Sequence, residues 1–479
     1  MSKATKWLVG LTLVGAGWLT PAAVLADGPQ PNAPWPQQKR DGPRTGVGGV
    51  NGPNNPTTSW SYNTGSAIVS GPVVSAEGTI YIGTENFRVR AIRANGTQQW
   101  EYVLPDSGGG QAPTQLLINS KGRIVFGTQS GYIVGLETDG DEDWKFDTRN
   151  APYGNSDRQA VRGAPGAASN YGRITVGTDA GILYELEDGA FAGVRRSEAD
   201  GAIRAGAAVT PDGTVVWGTI GRALRGGSST GGDKWRLGVD GPVVGTPAVG
   251  RDSTTYAGTE AGSVYAVDTD GKERWRVRLG DGRAVRAAPA LGQDGTIYVG
   301  SDEGRLFALD PANGNTKWSF ATQGALTAAP TVGANGLIYL GSNDGRLYVL
   351  TADGRAQAQL QVDGPIDFSS PAIGADGTLY VGTRSGTLYA LREGAPLTPA
   401  ASPTAAPAAT GATAALPSGT VPSGFAFIRC SSGRIYALNS DGSIGQYITS
   451  PAALGSGPIL QSSDTVPSGL IDAVCGSGR

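Results

Sequence analysis

Three arginines, Arg162, Arg204 and Arg286, stand fourteen or fifteen residues ahead of three glycines, Gly177, Gly218 and Gly300, that close short apolar runs. A guanidinium is permanently charged, and its fork of donors matches a carboxylate or a phosphate. Three of them at equivalent places in repeated units, gathered in a concave mouth, would suit an anionic ligand. The alternative is that each pairs with a nearby acid, as Asp302 or Glu303 with Arg286, and only braces loops. If the first reading holds, replacing Arg204 and Arg286 together with alanine should abolish ligand binding without unfolding the protein.

Other chemistry is scarce. The 479-residue chain has no histidine, which removes histidine bases, serine–histidine triads and histidine metal ligands. The runs Asp139-Gly140-Asp141-Glu142-Asp143 and Asp268-Thr269-Asp270-Gly271 suggest calcium loops at first sight. Neither has EF-hand spacing, and both fall at a turn where aspartate and glycine are expected anyway. No metal site and no catalytic residue is assigned.

The elements that must position the arginines are repeats. Eight apolar runs end in glycine plus serine or threonine, at Gly83, Gly127, Gly177, Gly218, Gly258, Gly300, Gly341 and Gly382, at intervals of 40 to 50 residues. The unit from Ala287 to Thr322 is the clearest. It reads as four short strands joined by turns at Asp294-Gly295, Asp302-Glu303-Gly304 and Pro311-Ala312-Asn313-Gly314. Four antiparallel strands repeated at this period describe a β-propeller. The expected fold is all-β: an eight-bladed β-propeller of four-stranded antiparallel blades.

Trp60, Trp100, Trp144, Trp235, Trp275 and Trp318 occupy the outermost strand of their units, where an indole can fill the widening gap between blades. Units three and seven have Gly193 and Ala358 there instead, so weaker blade junctions are expected. Unit eight has three strands only. The stretch Thr58 to Thr64 resembles the missing fourth, so the N-terminus should close the ring and leave no open edge. Counting fourteen residues back from each glycine gives Val69, Pro113, Gly163, Arg204, Val244, Arg286, Thr327 and Phe368. The residues one earlier are mostly apolar, with Arg162 and Asp367 as exceptions. This ring should line the mouth on the face carrying the blade-to-blade loops.

Residues 1–26 read as a secretory signal, with Lys3 and Lys6, an apolar stretch from Trp7 to Leu19, and small residues before Asp27. The apolar stretch is shorter than the ~20 residues that span a bilayer, no cysteine follows the cut, and no other segment could cross a membrane. Cleavage removes two lysines of 38 basic residues and none of 41 acids, leaving a formal charge of −5. A mildly acidic chain without a polybasic run argues against nucleic acid. Residues 27–57 form a lead-in, 58–394 the propeller, 395–424 an Ala/Pro/Thr-rich linker, and 425–479 a degenerate or truncated further repeat. Val421 and Val466 begin matching stretches that place Cys430 opposite Cys475. These cysteines are a candidate disulfide only if the tail folds as its own unit, because equivalent positions on neighbouring blades exceed the ~7 Å Cα limit. The chain is either an eroded repeat at its end or part of a longer protein.

The runs Ala308-Leu309-Asp310 through Gly314 to Trp318, and Ala266-Val267-Asp268 through Gly271 to Trp275, resemble the outer-strand docking motif of the pyrroloquinoline-quinone-like propeller repeats. The segment Trp35 to Gly46 resembles the lead-in of such propellers. The resemblance covers about residues 35 to 393. It implies kinship with quinoprotein dehydrogenases, which hold the quinone and calcium over the axis, and with the non-catalytic propeller lipoprotein of outer-membrane assembly. The dehydrogenases' adjacent cysteines have no counterpart here, and no lipid-anchoring cysteine matches the lipoprotein. The reading is therefore an exported, periplasmic or extracellular, non-enzymatic scaffold without lipid anchor or cofactor, binding a protein, peptide or anionic cell-envelope ligand. The alternatives are a quinone- and calcium-dependent oxidoreductase and the sensor or adhesive ectodomain of a longer surface protein.

Overall fold

Eight four-stranded antiparallel sheets follow one another around an axis in the computed structural model. It describes residues 30–394, apart from 31, 38–39, 42, 105–112, 151–159, 168–172, 188, 197–199 and 229–231, and four strands between 426 and 461. The leader 1–26, the linker 395–424 and both Cys430 and Cys475 lie outside the described residues. Blades one to seven span 73–103, 117–147, 166–196, 208–238, 248–278, 290–321 and 331–361. The eighth combines 372–393 with the strand Pro56–Asn63, which pairs with Thr387–Glu393 and sets Trp60 opposite Ala390. The ring is closed by the N-terminus as the sequence predicts. Among the described residues no helix is long and apolar enough to cross a membrane.

The repeated glycines are where consecutive blades touch. A Cβ on Gly177 would meet Ile203 of the next blade at 2.6 Å, one on Gly300 Leu326 at 2.8 Å, and one on Gly382 Ile68 at 2.7 Å. Those apolar anchors are fully buried. Each also donates its backbone N–H to the carbonyl of the Ser or Thr after the glycine, Ile203 to Thr178 at 2.8 Å and Leu326 to Ser301 at 3.1 Å. The hydroxyl of that Ser or Thr bonds across the following turn, as Thr178 Oγ1 does to the Ile182 carbonyl at 3.0 Å. One dipeptide thus serves packing, blade docking and turn closure.

The tryptophan motif has an equally local cause. Trp318 lies opposite Ala308 in its own blade and covers Gly354 in the next, where a Cβ would stand 2.6 Å from the indole. Gly354 has φ +85°, so the position suits glycine on conformational grounds as well. The indole N–H donates to the Ala352 carbonyl at 2.9 Å, and Trp60, Trp100 and Trp275 do the same at Ala94, Thr138 and Pro311. Small residues face tryptophan because larger ones would collide: a Cβ on Gly135 runs into Trp144, and one on Gly226 into Trp235.

Where tryptophan is missing, the two junctions differ. In blade three Arg195, about 2 % exposed, pairs with the equally buried Glu185 at 2.6 Å. It donates to the Ser228 and Gly232 carbonyls of blade four and lies over Trp217. Blade seven has Ala358 because the eighth blade offers no turn to receive an indole: its outer strand arrives from the N-terminus.

The lead-in crosses the axial end of all eight blades. The amides of Val74, Ile118, Val249, Leu291 and Val332 donate to the carbonyls of Trp35, Pro36, Pro43, Thr45 and Gly46. Gln37 bonds both the N–H and the carbonyl of Ala167. Arg44 donates to the Pro165 and Ala207 carbonyls, and Gly48 lies against Ile373. Trp35, Gln37 and Arg44 are all buried. Burial draws the Arg44 guanidinium down to about 10, with Asp41 opposing that shift.

The tail is a separate unit, residues 399–479. Its strands Ala426–Arg429, Ile435–Leu438 and Ile444–Ile448 form an antiparallel meander. The fourth, Ile459–Gln461, pairs parallel with Ala426–Arg429, whereas every pair in the eight blades is antiparallel.

Candidate functional site

Each innermost strand runs from the blade-to-blade loop toward the lead-in, and five residues separate Val69 from Val74 or Arg286 from Leu291. That is roughly 16 Å of extended chain. The lead-in runs along the far ends of these strands, bonded to their backbone. The opposite end is a cavity of ≈540 Å³ whose lining includes Val69, Pro113, Arg162, Arg204, Arg286 and Phe368.

The blade anchors fix the register of this ring. Ile68, Ile203, Val243, Val285 and Leu326 are anchors fifteen residues before the glycine of their own blade. In blades three and eight the anchors are Val161 and Ile366, sixteen before it. Arg162 and Asp367 are therefore the residues after an anchor, equivalent to Arg204 and Arg286. Gly163 and Phe368 are one-residue insertions.

A second ring interlocks with the first, and it escapes the count back from the glycines. Asp179, Glu260, Asp302 and Arg384, each two residues after a repeat glycine, donate their amides to the loop entering their own blade, at Ala160, Pro242, Ala284 and Pro365. Their side chains meet the arginine ring. Asp179 accepts from Arg162 Nε at 2.7 Å and from Arg204 Nε at 2.9 Å, one oxygen to each. Arg286 lies between Glu260, at 2.9 Å, and Asp302. Arg384 pairs with Asp367 at 2.7 Å, which holds the Arg384 pKa above its ordinary value. The fixed offset from the glycine was the available signal for these partners.

The two arginine clusters thus differ in charge. Arg162 and Arg204 share one carboxylate and keep one net positive charge; Arg286 is matched by two. Arg162 and Arg204 are 39 % and 47 % exposed, and no hydrogen bond donated by their terminal Nη atoms occurs among the described residues. The acidic runs sit elsewhere, at the tryptophan-docking turns. Asp268 accepts the amides of Asp270 and Lys272, and Asp139 that of Asp141. Among the described residues no group of three acidic or thiol side chains is placed to hold a metal.

With this geometry in place, known proteins provide the frame. The protein is similar to the quinohemoprotein alcohol dehydrogenase of Comamonas testosteroni, with TM-score 0.62 and 15% identity over 74% of this chain and 80% of that one. It is similar to BamB of Moraxella catarrhalis, with TM-score 0.56 and 18% identity over 70% and 99%. A europium-containing methanol dehydrogenase gives TM-score 0.61 and 14% identity over 75% and 98%. Identities this low establish the fold alone. No curated protein matches the sequence. A family model described as outer membrane protein assembly factor BamB matches residues 48–194, 190–277 and 260–446. The chain belongs to that family of PQQ-like repeat propellers.

Proposed function

We propose that this protein is an exported, non-enzymatic binding scaffold that takes an anionic ligand, peptide or protein partner at the open mouth of its ring. The observation that carries the reading is the pair Arg162 and Arg204, positioned by a single shared carboxylate in the lining of the mouth cavity. Guanidinium groups braced through Nε bind an incoming anion with little further ordering cost. The family description, an outer-membrane assembly factor, supports a protein partner in the cell envelope, and the sequence of residues 1–26 supports export.

The mouth does not suit the quinone with calcium. Calcium takes six to eight oxygen ligands, whereas Asp179, Glu260, Asp302 and Asp367 are each committed to a guanidinium.

The test is a calorimetric titration of the mature protein with a panel of carboxylates, inorganic phosphate and acidic peptides. Saturable binding that Arg162→Ala with Arg204→Ala abolishes, without a fall in unfolding temperature, is expected. Binding that survives in the double variant contradicts the assignment.

A further inference from the structure

We infer that the mouth recognises a small amphipathic monocarboxylate, whose charge sits on Arg162 and Arg204 and whose apolar end rests on Phe368. This rests on the mouth being the binding face and adds the chemical class of ligand.

Phe368 is 48 % exposed, and it and Val103 are the strongly exposed large apolar side chains among the described residues. Its φ is +50°, in the left-handed region where a bulky side chain is strained. Phe368 is the inserted residue, two after the Ile366 anchor, and the matching insertion in blade three, Gly163, does not adopt a positive φ. The surroundings of Phe368 over-determine its backbone: Arg384 holds Asp367, Gly382 donates to Ser369 Oγ, and Gln115 Nε2 donates to the Phe368 carbonyl at 3.3 Å. Glycine would fit this backbone without strain, and burial does not explain phenylalanine. An exposed aromatic kept at such a cost on the wall of a cavity is a contact surface.

The mouth is divided by blade. Phe368, Val69 and Pro113 belong to the adjacent blades eight, one and two, beside Glu85 of blade one and the Asp367–Arg384 ion pair of blade eight, whereas Arg162 and Arg204 stand on blades three and four. Blade four lies across the axis from blade eight, so a ligand touching both has its charge and apolar parts at opposite ends. One unmatched positive charge at Arg162 and Arg204 selects a monoanion over a phosphate dianion, and Arg286, already between two acids, is left out. A cavity of ≈540 Å³ is within the size range of small-molecule sites.

The experiment is isothermal titration of the full chain with phenylalkanoates of increasing chain length, 6-phenylhexanoamide and hexanoate. The phenylalkanoates should bind with an optimum length, and both the amide and hexanoate at least about tenfold more weakly. Phe368→Gly should weaken binding about tenfold or more while the unfolding temperature holds or rises, because the strained φ is relieved. Arg286→Gln should bind like the parent. If Phe368→Gly binds unchanged while Arg162→Ala with Arg204→Ala does not bind, the amphipathic assignment falls and the anion-binding mouth stands. If no phenylalkanoate binds, the assignment also falls; if no anion of any kind binds, the mouth itself is not the site.

Discussion

Trp275 of the fifth blade donates its indole N–H to the carbonyl of Pro311 in the sixth, at 2.9 Å. Its ring covers Gly314, whose φ is +76°. Blade adhesion at the rim is concentrated in such pairs. Trp275→Ala should cost about 3–5 kcal/mol in urea unfolding, while Ala358→Trp should gain nothing, since blade eight has no receiving turn. A stabilised Ala358→Trp variant would show that indoles act by area alone.

Gly258 and Val285 make the inner contact between the same two blades, where a Cβ on the glycine overlaps the valine. Gly258→Ala should destabilise by about 1–3 kcal/mol through overpacking. Val285→Ala should return part of that loss in the double variant, a coupling read from a double-mutant cycle. Strict additivity would mean that the glycine is kept for another reason.

Asp200 supplies a pH test. Hydrogen bonds from Arg236, against the cost of burial and with help from Arg225, hold its carboxyl below the usual 3.8. A depressed folded pKa stabilises above the unfolded value and is lost as pH falls below about 3.8 toward the folded one. Urea melts across this window should lose stability steeply for the parent and less steeply for Asp200→Asn. Equal slopes would remove Asp200 from acid unfolding.

The lead-in should protect the amides it accepts. Deleting residues 30–47 leaves the N–H groups of Val74, Ile118, Val249, Leu291 and Val332 without the carbonyls that now receive them. Their hydrogen exchange should accelerate far more than that of second-strand amides such as Ile297 and Ile338. Uniform acceleration would mean that the whole ring, not its far end, depends on the segment.

The ring was legible because one side-chain requirement recurs eight times. Gly300 before Ser301, and Ala308 ahead of Trp318, carry their contacts in their own identity, so period and strand order follow from composition. The mouth was legible only in part. Counting from glycines placed Arg204 and Arg286 correctly after their anchors, but the insertions at Gly163 and Phe368 break the count. They appear only once Val161 and Ile366 are seen donating to Thr128 and Ser342. The docking of the lead-in was hidden for a related reason. Nothing about Gln37 or Arg44 as residue types announces backbone partners more than 100 positions away.

The most direct test of the binding face is hydrogen–deuterium exchange of the full chain with and without saturating 6-phenylhexanoate. The account predicts slowed exchange in residues 160–164, 203–206 and 366–370 around the mouth and none in the lead-in, residues 43–50. Protection confined to the lead-in face, or no change at any mouth segment, would contradict it.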